Sequence, residues 1–272
     1  MNRNFMIVVV ALIVCLTMLV PNVMAQSNGD SKWVVDPTSV AYGRTYSDWS
    51  AAWWQWAMSI PVASHPIFDN GDCSVGQSGP VWFLGGKACA VGQSCPPGPW
   101  TRSCTVPACK ALYFPIINIE QSEPEEPNWG CGNTLPPLVA GTIAEMRACL
   151  DLYITGSTNI AADIDGKRIH DINRFHVQAV TYEDNWPEDN WLTATGEGPF
   201  PAGTFGPAVD DGWYVMLAPL PSGHHTLHFK GTFSPGFGGA TQEMTYYLTV
   251  AKGAQSQHTI LGIPKRPAAS PH

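Results

Sequence analysis

The stretch NIAADIDGKRIHDI, Asn159 to Ile172, decides the fold. Apolar and polar residues alternate along it, and Asp165-Gly166 interrupts the alternation. Asp-Gly between two alternating runs is the signature of a two-residue hairpin turn, because both central residues must reach positive φ. That register puts Ile160, Ala162, Ile164 and Ile169 on one face and pairs Asp163 with Arg168 on the other. Downstream, NRFHVQAV (173–180), GWYVMLAPL (212–220), HHTLHFKGTF (224–233) and EMTYYLTVA (243–251) read as further strands. Gly- and Pro-rich turns separate them, and no helices alternate with them. The pattern predicts a mainly β chain: an antiparallel β-sandwich, jelly-roll or immunoglobulin-like, rather than a doubly wound sheet.

Upstream, YSDWSAAWWQWAMSIP (46–61) holds four of the eleven tryptophans. It reads as a helix over residues 45–60. Thr45 caps it, Asp48 completes a capping box, and Pro61 ends it by forcing Ile60 out of helical geometry. At about 100° per residue, Tyr46, Trp49, Trp53, Trp56 and Ile60 share one stripe, the pattern of a buried face. Trp54 lies off the stripe and is the indole expected at the surface. One further short helix is predicted within GTIAEMRACLDLYI (141–154), with Thr142 as cap and Glu145 three residues on. Ile143, Met146, Leu150 and Tyr153 line one of its faces.

Between the helices, residues 62–136 are loop-rich, with strand-like runs at 80–86 and 111–118. The chain therefore divides into a segment 1–25, a single sandwich domain 26–262 whose strand-rich part is 159–252, and a flexible tail 263–272. Segment 1–25 reads as a signal peptide: Arg3, an apolar run from Phe5 to Val20, and small residues at Val23 and Ala25 before Gln26. The run is shorter than the roughly 20 apolar residues of a span. Without it, Lys plus Arg falls from 14 to 13 against 22 Asp plus Glu, a net charge of about −9. Such a balance, with no basic cluster, argues against a nucleic-acid partner. No second long apolar run follows the signal. The expected location is secreted or periplasmic.

Export makes disulfides the default for the seven remaining cysteines, and the C-x2-C pairs of zinc sites are absent. Spacing does not dictate connectivity. The expected pairing is Cys73–Cys104, Cys89–Cys95 and Cys131–Cys149, with Cys109 left as a thiol.

Several motifs together (GPVWFLGG, VPACKALYFPIIN, NIAADIDG and DGWYVMLAPLPSGHHTLHFKG) resemble an uncharacterised family of exported bacterial proteins, over roughly residues 42–250. The resemblance implies a secreted β-rich fold and no catalytic residues. The chain departs from that pattern at Cys109, where it implies glycine.

Few residues point to chemistry. In GHHTLHF, His224 and His228 share a strand face roughly 13 Å apart, too far to bind one metal; His225 points inward with Leu227 and Phe229, as a structural histidine. The loop EDNWPEDN offers Glu183, Asp184, Glu188 and Asp189 as oxygen ligands for calcium, without the D-x-D-x-D-G ladder. Asp210-Asp211-Gly212 reads as the turn before a strand. GQSGP (76–80) matches a nucleophile elbow only loosely. Trp186 and Trp191 lie in a polar loop and, with Trp54, are the candidate ligand-stacking rings. Trp100 and Trp129 read as rings capping the core. The leading function is a non-catalytic binding module for an extracellular or envelope ligand such as glycan. The alternatives are a secreted hydrolase with paired carboxylates in a loop-lined cleft and a structural envelope protein. Exposed tryptophans would favour the first; buried acids converging on a concave surface would favour the second.

Overall fold

The computed structural model describes residues 32–94, 98–122 and 142–253. The expected signal peptide, the tail, and the cysteines Cys95 and Cys131 lie outside the described residues.

Ten strands run through the described residues: Val81–Phe83 (β1), Trp100–Val106 (β2), Ala111–Ser122 (β3), Thr158–Ile164 (β4), Lys167–Arg168 (β5), His176–Gln178 (β6), Tyr182–Trp186 (β7), Gly203–Leu217 (β8), Gly223–Thr232 (β9) and Thr241–Val250 (β10). They form two five-stranded sheets. Sheet I has the order β1-β3-β8-β6, with β7 also paired to β8; sheet II has the order β2-β10-β9-β4-β5. The Asp165-Gly166 turn joins β4 to β5, with φ of 53° and 71°, and sets Asp163 opposite Arg168. Most pairs are antiparallel, but β1 lies parallel to β3 and β2 parallel to β10. Both parallel partners come from the cysteine-bearing first half, which reaches the sheets by long connections rather than hairpins.

The sheets face each other mainly through β3 and β9. Phe114 stacks on Phe229 at 5.2 Å, and Gly231 lets the strands approach, since a Cβ there would meet Ile117 at 2.7 Å. The other face of sheet I is covered by the tryptophan helix, Tyr46–Met58 (α1). The molecule is thus layered: α1, sheet I, then sheet II together with the second helix Ile143–Ile154 (α2).

Local chemistry explains α1. The Thr45 hydroxyl accepts from the Asp48 N–H at 3.2 Å, and the Asp48 carboxylate accepts from the Thr45 N–H at 2.9 Å. The stripe residues Tyr46, Trp49, Trp53, Trp56 and Ile60 are all buried. Each indole N–H on the stripe finds a carbonyl: Trp49 donates to Ala41, Trp53 to Leu84 and Trp56 to Val75. Thr142 caps α2 by accepting from the Glu145 N–H.

A disulfide joins Cys73 to Cys104, with Cα atoms 5.8 Å apart, and ties the loops after α1 to sheet II. Cys89 and Cys149 are also disulfide-bonded. Cys109 is an exposed thiol in the turn before β3. Its φ is 64°, the left-handed region that favours glycine. No helix among the described residues is long and apolar enough to cross a membrane.

Candidate functional site

An open groove of about 670 Å3 runs between the C-terminal half of α1 and the edge formed by β7 and the start of β8. Gln55 and Ser59 form one wall. Thr181, Glu183, Asn185, Thr204 and Pro207 form the other, and Tyr182 and Asp184 lie at the floor. The groove exists because β7 is an edge strand with strict alternation. Tyr182, Asp184 and Trp186 point inward, while Glu183 and Asn185 point to solvent. The rim is held by neutral hydrogen bonds: Gln55 Nε2 donates to the Glu183 carbonyl at 3.0 Å, and the Thr204 hydroxyl donates to Asn185 Oδ1 at 2.9 Å.

Beneath this rim sit three buried carboxyl groups from three strands: Glu120 on β3, Asp184 on β7 and Asp210 on β8. Glu120 and Asp210 are cross-strand partners. Asp184 is within hydrogen-bonding contact of Glu120. Two ionised carboxylates offer each other no donor, so one shared proton turns that contact into a bond. Burial pushes Asp184 up to about 7, against the smaller opposing effect of the Glu120 contact. Burial also raises Asp210 well above the usual carboxylate range, although Asp210 Oδ1 accepts the Ala179 N–H at 3.1 Å. Among the described residues no cationic side chain contributes to Asp184, Asp210 or Tyr182. Next to the acids, Tyr214 accepts from Trp54 Nε1 at 3.0 Å and from Asn118 Nδ2 at 3.1 Å.

The tryptophans expected to stack a ligand are placed otherwise. Trp54 is 6 % exposed, because α1 is covered on a second flank: Trp191 packs on it at 6.0 Å, backed by His65 and Phe68. Trp186 is 3 % exposed and stacks on Phe205 at 4.3 Å. Its loop is not a loop, since it lies on β7. Trp191 opens a short helix, Trp191–Thr195 (α3), capped by Asn190, and remains half-buried in the same aromatic cluster. The expected strip of exposed indoles is corrected by this burial.

The four calcium candidates also disperse. Glu183 and Asp184 point to opposite faces of β7, Asp189 accepts the Ala63 N–H at 2.7 Å, and Glu188 is exposed. No group of three or more His, Cys, Asp or Glu side chains with metal-holding geometry occurs among the described residues. Asp210 and Asp211 are not a turn: both lie inside the fifteen-residue β8, buried on opposite faces.

On the α2 side, Asp211 bonds His176 Nε2 at 2.5 Å and accepts Gln178 Nε2 at 2.9 Å, while the His176 ring stacks on Trp213 at 4.5 Å. The Asp211 hydrogen bond raises the His176 pKa. On sheet II, His225 is held by Asp165 and the Pro221 carbonyl, and His228 by Asp163 and Glu243. These histidines are occupied by structural partners.

Sequence reasoning missed Glu120, Asp210 and Asp211. The available signal was acids embedded in strongly apolar strand text, IINIEQS and AVDDGWYVML.

No family model matches the chain, and no curated protein matches it. Among solved structures, the chain is similar to one described as "Structure of PbICP-C in complex with falcipain-2", at 11% identity over 64% of this chain and 100% of that one. The TM-score of 0.23 is too low to transfer fold or function.

Proposed function

We propose that this chain is an exported binding protein whose ligand site is the groove between α1 and β7–β8, and that its ligand is an uncharged, hydroxyl-rich molecule such as a glycan. The observation that carries this reading is the groove's rim. Gln55, Ser59, Thr181, Asn185 and Thr204 supply amides and hydroxyls that both donate and accept, at a size suited to a few sugar units. The disulfide between Cys73 and Cys104 and the signal-like start of the sequence support an oxidising compartment.

The test is a glycan array with the secreted protein, repeated after chelation. Asn185→Ala combined with Thr204→Ala should weaken binding at least about tenfold, since each removed hydrogen bond is worth on the order of 1 kcal/mol or more. Binding unchanged in that double variant would refute the groove as the site.

A hydrolase is the second reading, and the acids beneath the groove favour it. A glycosidase needs its two carboxyls about 5–10 Å apart, whereas Glu120 and Asp184 are in contact. Asp184 is also fully covered. Turnover of a polysaccharide that Asp184→Asn abolishes would reverse this ranking.

A further inference from the structure

The hydrogen bonds that hold the rim of the groove also fix what each rim group has left for a ligand. Gln55 Nε2 donates to the Glu183 carbonyl at 3.0 Å. A carbonyl only accepts, so the Gln55 amide is held with its nitrogen towards β7, and Oε1 is left as an acceptor. Ser59, at the C-cap of α1, donates its hydroxyl hydrogen to the Trp56 carbonyl at 2.9 Å, so it too meets a ligand as an acceptor. Across the groove the Thr204 hydroxyl donates to Asn185 Oδ1 at 2.9 Å, which leaves the Asn185 Nδ2 hydrogens as donors. Gln55 Oε1 and Asn185 Nδ2 have no hydrogen-bond partner among the described residues, and all four side chains are exposed.

We propose that this sorting selects a ligand carrying a secondary amide, so that the glycan bound in the groove is built of N-acetylated amino sugars. This rests on the reading of the groove as a glycan site, and names the class of sugar. Acceptors on the α1 wall face amide donors on the β7–β8 wall. A ligand that joins the two walls through one group must present a donor to the first and an acceptor to the second, in fixed and opposite directions. A trans secondary amide does this, because its N–H and C=O point to opposite sides of a rigid plane. A sugar hydroxyl offers donor and acceptor from a single rotating oxygen, without that separation. The exposed Pro207 in the groove lining supplies apolar surface for the acetyl methyl. Peptides also carry secondary amides. A peptide added along β7 as a further strand would use that strand's outward carbonyls, and Gln55 already occupies the one at Glu183.

Titration calorimetry of the full chain tests this with two probes: an oligomer of N-acetylglucosamine, and the glucose oligomer of the same linkage and length. The acetylated oligomer should bind at least about tenfold more tightly, since the bridging amide adds hydrogen bonds to both walls. Asn185→Asp keeps an acceptor for Thr204 but removes the donor, and should bring the ratio to within about threefold. Gln55→Ala should do the same from the other wall. The readout is the ratio of the two affinities, which a general weakening of the groove does not move. Equal binding of the two oligomers by the unsubstituted chain, or a ratio of about tenfold persisting in Asn185→Asp, would overturn the proposal and leave the groove as a glycan site. Binding of neither oligomer would also overturn it, and the glycan array then tells whether the groove reading falls as well. Capture of an extended peptide alone would sink both.

Discussion

The two ends of the α1-covered face of sheet I have opposite characters. At one end, Trp49, Trp53, Trp56 and Tyr46 are buried and every polar atom they bring has a partner; even Tyr113 donates to the Tyr46 carbonyl at 3.0 Å. His65 belongs to that end: burial pushes it down to about 4, so it stays neutral and bridges Ala57 O and the Ile67 N–H. Arg102 is half-buried nearby with its charge engaged by Asp69, Tyr246 and the carbonyls of Ile67, Gly85 and Gly86. At the other end, Asp210 Oδ2, the Tyr182 hydroxyl and Trp186 Nε1 are buried with no hydrogen-bond partner among the described residues, and Asp184 has only the Glu120 carboxyl beside it. One helix and one sheet build both ends. The difference shows that burial is not in itself a stabilising choice here: the satisfied end anchors the fold, while the unsatisfied end stores free energy beside the groove.

That contrast can be broken most forcefully at the anchored end. Trp53 is 2 % exposed and donates to the Leu84 carbonyl at 2.7 Å. Trp53→Ala should destabilise the protein by about 3–5 kcal/mol through cavity formation, read from the denaturant midpoint.

At the other end the sign reverses. The folded pKa of Asp184 is raised from 3.8 to about 7. Its neutral form is favoured in the fold, so its contribution is fully present below about pH 4 and is lost as pH rises through about 7. Asp184→Asn keeps the shape, replaces the shared proton with an amide N–H, and should stabilise the chain at pH 8. The upper bound is about 4 kcal/mol, at about 1.36 kcal/mol per pKa unit. Near pH 4 it should change little. Thermal melts at the two pH values check this, and an equal effect at both would remove buried ionisation as the cause.

A pair of tyrosines gives the smallest and sharpest test. Tyr214→Phe strips the acceptor from Trp54 and Asn118 and should cost about 1–3 kcal/mol, because two buried donors lose their partner. Tyr182→Phe removes a hydroxyl that has no hydrogen-bond partner among the described residues and should be within about 0.5 kcal/mol of neutral or slightly stabilising. Urea unfolding of both variants compares them directly; equal losses would show that Tyr182 has a partner after all.

Much of the architecture was legible in the residues themselves. Asp165-Gly166 dictated a hairpin and its register, because only a φ-positive pair closes a two-residue turn. Thr45, Asp48 and Pro61 bracketed the tryptophan helix, and its 3.6-residue period named the buried stripe. These are local signals, carried by neighbours within a few positions. The site was not legible for the same reason. Trp54 looked exposed because periodicity reports one buried face, and the second cover, from Trp191 and Phe68, arrives from far along the chain. Asp210 and Asp211 resembled a turn because acids before a glycine usually are one; only the pairing of β8 with β3, β6 and β7 puts them mid-strand. Hairpins, caps and stripes are fixed by short-range sterics and periodicity, so the amino-acid order determined them alone. The meeting of Glu120, Asp184 and Asp210 joins three strands separated by dozens of residues, and its chemistry comes from lost water, which no single segment can exclude by itself.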